Sequence, residues 1–161
     1  MAYLEEVMDT KNTIIQKLIS SQPIVDAINN TSINSNDDLI GQNIFRDLYI
    51  PDEQQVAKTY ICLGVFVTKV TNHLIKTLDV HFWIFSHQDV MDTGLGYTRV
   101  DKIQSEIDKL INGTYSLGID KAELKGSYQY KVLKNYTGVE LIYQVPNLNQ
   151  DTRFAATRYD R

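Results

Sequence analysis

Residues 59–87 read TYICLGVFVTKVTNHLIKTLDVHFWIFSH, and the alternation within this stretch decides the fold. Ile61, Leu63, Val65 and Val67 fall on one side of an extended chain, and Tyr60, Cys62 and Phe66 on the other. Successive side chains on a strand point to opposite faces, so both faces here are apolar, the pattern of a central strand. Thr71-Asn72-His73 supplies turn residues. A second strand is expected from Ile75 to His87, with Leu78, Val80, Phe82 and Ile84 on one face and Thr77, Asp79, His81, Trp83 and Phe85 on the other. The two runs read as an antiparallel pair.

Upstream the period changes. Leu4, Val7, Met8, Ile14, Ile15, Leu18 and Ile19 recur three or four apart, which predicts an amphipathic helix over about residues 2–21. Lys11 interrupts the stripe, and its stem can lie along apolar surface. Pro23 opens a second short helix that buries Ile24, Val25 and Ile28, with Ser21 as its cap. A polar loop follows over 29–43, and Ile44 to Ile50 reads as a strand ended by Pro51.

Downstream, Gln88 to Tyr97 is a loop with two Asp and two Gly. Thr98, with Asp101 three residues later, marks the start of a helix whose stripe is Val100, Ile103, Ile107, Leu110 and Ile111, and Gly113 stands at its C-terminal cap. Ile119 to Lys125 alternates weakly. Tyr128, Tyr130 and Val132 share a face. Asn135-Tyr136-Thr137-Gly138 reads as a hairpin loop with Gly at a positive-φ position, and the return strand Val139, Leu141, Tyr143, Val145 is expected to stop at Pro146. Helices and strands do not alternate as βαβ units. The expectation is an α+β domain over residues 1–149, an antiparallel sheet with two main helices on one face, and a C-terminal arm over 150–161.

Composition excludes several classes. The chain has 161 residues, formal charge −4 and one Cys, so a disulfide scaffold is ruled out and one ordinary core is the default. The longest apolar run, Tyr60 to Val67, is eight residues, against the roughly 20 of a spanning helix. The N-terminus is acidic where a secretory leader would be basic, which reads as cytoplasmic synthesis. Mild acidity argues against a dedicated nucleic-acid binder. Residues 37–53 carry Asp37, Asp38, Asp47, Asp52 and Glu53 against Arg46, a net of −4 that equals the charge of the whole chain.

Chemistry-bearing patterns are sparse. Asp79, His81, His87 and Asp89 are the best metal candidates, yet no compact ligand motif is present, and a half-buried polar strand face explains them as well. Cys62, in mid-strand, reads as a core thiol. Gly94-Leu95-Gly96 precedes a helix, but Asp89 and Asp92 oppose a phosphate there. Tyr128, Tyr130, Tyr136 and Tyr143 fit either ordinary strand composition or an assembly surface. The arm interleaves Arg153, Arg158 and Arg161 with Phe154 and Tyr159, residue types that anchor interfaces.

Three places carry a resemblance to a known family: the helix and short second helix before an irregular loop; the strand Asp79-Val80-His81-Phe82-Trp83-Ile84-Phe85 leading to the helix Arg99-Val100-Asp101-Lys102-Ile103; and Tyr136-Thr137-Gly138-Val139-Glu140-Leu141-Ile142-Tyr143-Gln144-Val145 followed by Asn147-Leu148-Asn149. In this order the chain resembles the tail terminator (tail completion, or neck) proteins of long-tailed bacteriophages, over most of residues 10–149. The resemblance implies a structural virion protein of the neck and tail top, not an enzyme, with no cofactor, metal or membrane. It implies a homo-oligomer, a hexameric ring that caps the tail tube, contacts the major tail tube protein and the head-closure (connector) protein, and lets DNA pass through its lumen without specific binding. On that expectation Asp37, Asp38, Asp47, Asp52 and Glu53 are candidates to line the lumen. Asp89, Asp92, Arg153, Phe154, Arg158, Tyr159 and Arg161 are candidates for contacts between subunits or with partners. The alternatives are a soluble α+β binding or accessory module, and a small metal-dependent enzyme using His81 and His87.

Overall fold

The computed structural model describes residues 4–52, 56–72 and 74–148. In chain order the elements are α1 (Glu5–Ser20), α2 (Gln22–Ile28), a 3-10 turn (Asn36–Leu39), β1 (Ile44–Phe45), β2 (Thr59–Val70), β3 (Ile75–His87), the single-turn α3 (Gln88–Met91), α4 (Arg99–Ile111), β4 (Glu123–Leu133) and β5 (Tyr136–Leu148). The strands form one sheet in the order β1-β2-β3-β5-β4. This is an α+β fold with its helices on one face of the sheet.

The alternation in 59–87 sets the centre of that sheet. β2 and β3 pair antiparallel with Ile61 opposite Ile84, Leu63 opposite Phe82 and Val65 opposite Val80. β5 adds to the other side of β3, bringing Leu141 opposite Phe82 and Tyr143 opposite Val80. These residues form the inner face. Ile14, Ile15 and Leu18 of α1, Ile24 and Ile28 of α2, and Val100, Ile103, Ile107 and Ile111 of α4 close over it, and all are buried. Thr98 and Asp101 make a reciprocal capping box at the start of α4, satisfying donors that the first turn leaves orphaned.

Five expectations need correction. The sheet is mixed, because β1 runs parallel to β2, with Ile44 opposite Ile61. β1 is only two residues long rather than running to Ile50; the chain then leaves the sheet so that Tyr49 stacks on Phe45, ring centroids 4.2 Å apart. The hairpin turn is Lys134–Asn135, and Gly138 lies within β5 at no positive φ. A Cβ on Gly138 would stand 1.8 Å from the Ile84 carbonyl oxygen, so glycine is needed there for close approach of two strands. Pro146 does not end β5, which continues to Leu148. β4 stops pairing at Gln144, and the Pro146 carbonyl turns to that vacated side to accept the Ile119 N–H at 3.1 Å. The missing proline N–H therefore removes no ladder bond. The weakly alternating run also begins later than expected, with β4 starting at Glu123.

Candidate assembly surface

Among the described residues no helix covers the second face of the sheet. The register stacks its residues in transverse rows: Tyr60, Phe85, Gly138 and Tyr130; then Cys62, Trp83, Glu140 and Tyr128; then Gly64, His81, Ile142 and Gly126; then Phe66, Asp79 and Gln144. One end is a packed aromatic cluster. Tyr60 lies 5.4 Å from Phe85 and 5.8 Å from Tyr136 between ring centroids, and Tyr49 caps the group. Such tilted contacts suit the ring quadrupole. The Tyr49 N–H donates to Cys62 Sγ at 3.4 Å. Burial pushes the Cys62 thiol up to about 11, which makes it an inert core thiol, in line with the sequence reading.

The middle of the face is polar and paired. His81 Nδ1 sits 2.8 Å from Glu140 Oε1, and Gln144 Nε2 donates to Asp79 Oδ1 at 3.4 Å. Toward the far end the face turns apolar and open. Phe66, in the last of these rows, is 45% exposed, and Ile75 and Leu148 pair with each other while remaining solvent-accessible; Tyr128, on β4 in the second row, is 54% exposed. An uncovered sheet face that grades from a packed aromatic cluster to exposed apolar side chains has the composition of an interface rather than of solvent-facing polar strand.

The metal candidates are not brought together. His81 bonds Glu140, whereas His87 lies six residues further along β3, with Nδ1 3.5 Å from Asp89 Oδ2. Among the described residues no group of three His, Cys, Asp or Glu side chains is placed to hold a metal ion. No helix among them is long and apolar enough to cross a membrane.

The acidic segment is dispersed into local roles. Asp38 Oδ2 accepts the Asn34 and Ser35 N–H groups at 2.9 and 3.1 Å, and these bonds hold its carboxyl below the usual range. Asp47 Oδ1 accepts the Leu48 N–H. Asp37, Asp47 and Asp52 are exposed. Glu53 lies outside the described residues, as do Arg153, Phe154, Arg158, Tyr159 and Arg161. Asp89 and Asp92 do come together, lining a polar cleft of about 330 Å³ with Asn30, Lys58, Thr59 and Arg99. Arg99 pins this corner by donating to the Val90 carbonyl at 2.7 Å and to the Ala27 carbonyl at 3.2 Å.

Sequence reasoning missed the openness of this second face, whose polar members were weighed only as metal ligands. The signal was the face set Asp79, His81, Trp83, Phe85, too apolar for a solvated strand and too polar for a core. No curated protein matches the chain. A family model described as YomW matches residues 8–145.

Proposed function

The chain belongs to the YomW family, a phage-like Bacillus protein family whose membership suggests a phage-associated protein, and on that premise we propose that it is a structural virion protein of the tail-terminator kind. In this reading copies close into a hexameric ring at the top of the tail. The ring caps the tail tube, and the head-closure protein docks on it. Phage association of the family supports the first half of the reading. The observation that carries the second half is the open face of the sheet, where Phe66 stands exposed at the end away from the packed aromatic cluster and Tyr128 stands exposed on β4. A neighbouring protein is the natural cover for such a face.

The exposed carboxylates of Asp37, Asp47 and Asp52 face the lumen in this proposal. Repeated around a ring, they repel DNA phosphates and let the duplex slide. The test is deletion of the gene from the phage that carries it, followed by electron microscopy of the lysate. Filled heads separate from tails of uncontrolled length are expected. Normally joined particles with tails of uniform length overturn the reading.

A further inference from the structure

Two glycines share one row of the uncovered face, Gly64 on β2 and Gly126 on β4, with His81 and Ile142 between them. Aromatic rings close over both. A Cβ on Gly64 would meet ring carbons of Phe66 and Trp83 at 2.7 and 2.8 Å, and one on Gly126 would meet the Tyr128 hydroxyl and ring at 2.5 and 2.6 Å. The Tyr128 ring therefore lies down along its own strand while remaining exposed. Three strand spacings, about 14 Å, separate β2 from β4. Between the two groups of rings runs a shallow trough over β3 and β5, floored by His81 and Ile142.

The charges set in this trough are carboxylates. Glu140 lies in the row between Trp83 and Tyr128, and Asp79 and Glu123 lie in the row of Phe66 and Gln144. His81 Nδ1 holds Glu140 Oε1, and Gln144 Nε2 donates to Asp79 Oδ1. The second oxygen of Glu140 and of Asp79 is left unclaimed among the described residues. Of the neighbouring lysines, Lys125 is tied to Glu123 at 2.9 Å, and Lys69 stands opposite Thr77, beyond the row of Phe66. A carboxylate oxygen beside an exposed aromatic ring suits a guanidinium group, which forms hydrogen bonds in its own plane while stacking its face on the ring. The same carboxylates repel the phosphates of a nucleic acid, so the charge favours a protein partner.

We propose that this face receives a basic segment of a partner protein, with an arginine side chain stacked on Tyr128 and hydrogen-bonded to Glu140 Oε2. Asp79 lies four residues along β3 from Trp83, the residue opposite Glu140, which is about 13 Å at roughly 3.3 Å per residue. It takes a second basic side chain of the same segment. The inference rests on the reading that a neighbouring protein covers the open face, and it deepens that reading by naming the chemistry that selects the neighbour.

The test titrates the isotope-labelled full-length chain with tetra-arginine amide and follows backbone amide shifts by NMR, with tetra-citrulline amide as the uncharged match. Saturable binding of the arginine peptide is expected, with the shifts concentrated on β4 and β5 around Tyr128 and Glu140. The citrulline peptide is expected not to bind. Glu140→Gln and Tyr128→Ala are each expected to weaken binding at least about five-fold, the scale of a cation–ring or ion-pair contact. Restoring the ring alone, as Tyr128→Phe, is expected to recover what Tyr128→Ala loses. Asp9→Asn, an exposed carboxylate of α1 on the helical side of the sheet, is expected to bind like the native chain. Circular-dichroism melts check that each variant folds. Absence of saturable binding, equal binding of the citrulline peptide, native affinity in Glu140→Gln or Tyr128→Ala, or an equal loss in Asp9→Asn overturns the proposal. Peptide binding on this face alongside normally joined particles from the gene deletion removes the terminator reading alone. Tails of uncontrolled length with no peptide binding remove this inference alone.

Discussion

Lys76 Nζ and Glu6 Oε2 meet at 2.5 Å where the start of α1 crosses the beginning of β3, with the lysine side chain wholly buried and the glutamate 23% exposed. Asn147 Nδ2 also donates to Glu6 Oε2, so this carboxylate ties α1 to both central strands. Removing one member of a buried pair leaves the other charge poorly compensated, whereas replacing the charge by an apolar group of similar shape is often neutral. Glu6→Gln is expected to lower stability by about 2 kcal/mol, below the 3–5 of a fully buried pair because Glu6 reaches solvent. Lys76→Met is expected to change it by less than about 1 kcal/mol. Urea denaturation of both variants checks this; equal losses would show that the pair acts through packing alone.

Gly138 should tolerate no side chain. Its Cβ would meet the Ile84 carbonyl oxygen and, at 2.6 Å, the Phe85 Cα, both parts of the β3 backbone, which cannot step aside as a side chain can. Gly138→Ala is expected to cost more than about 3 kcal/mol or to prevent folding. Gly94→Ala, where open space surrounds the position and only the positive φ opposes the change, is expected to cost about 1 kcal/mol. Comparable thermal shifts for the two would refute the close-approach argument.

The Tyr143 hydroxyl donates to Asp108 Oδ1 at 2.8 Å and joins α4 to the sheet. Tyr143→Phe is expected to lose about 1–2 kcal/mol. Burial, and then the Asp108 carboxylate, raise the ionisation of Tyr143 far above its ordinary value. The sign follows directly: the folded state holds this proton more tightly than the unfolded state, so the contribution is complete below the unfolded tyrosine value of about 10 and declines as pH rises beyond it. Chemical denaturation at neutral pH and above pH 10 should show a steeper alkaline loss for the native chain than for Tyr143→Phe.

Cys62 should be silent to thiol reagents in the folded protein. Its thiol is fully buried, held under Tyr49 and pushed up to about 11. Labelling with a disulfide reagent at pH 8 is expected to proceed only in denaturant. Rapid labelling of the native chain would mean that the 46–50 segment opens readily from the aromatic cluster.

Much of the fold was legible because the responsible signals are local. Period-two alternation placed β2 and β3, and the Thr98–Asp101 capping box with its apolar stripe placed α4. The misreadings share a tertiary cause. Asn135-Tyr136-Thr137-Gly138 has turn composition, but the glycine answers to pressure from β3, which no local pattern records. Pro146 looks like a strand end, yet it survives because β4 has already stopped beside it. Tyr49 looks like a strand residue and in fact has left the sheet to stack on Phe45, its N–H on Cys62 Sγ. Lys76 was readable and overlooked, since its parity with Leu78, Val80, Phe82 and Ile84 puts it on the inner face, where a lysine requires an anion. Of the candidate site, the alternation showed that Phe66, Trp83 and Phe85 lie on the face opposite Leu63, Phe82 and Ile84, but not which of the two faces the helices cover, which depends on tertiary packing.

The single tryptophan of the chain, Trp83, sits in the middle of the uncovered face, its indole resting over Gly64 and 5.5 Å from the His81 ring. It is 9% exposed, enough for its emission to respond to what lies above it. The molecule thus carries a built-in fluorophore at the one place where docking on that face would be felt, and a shift in its spectrum reads occupancy of the face with no added label.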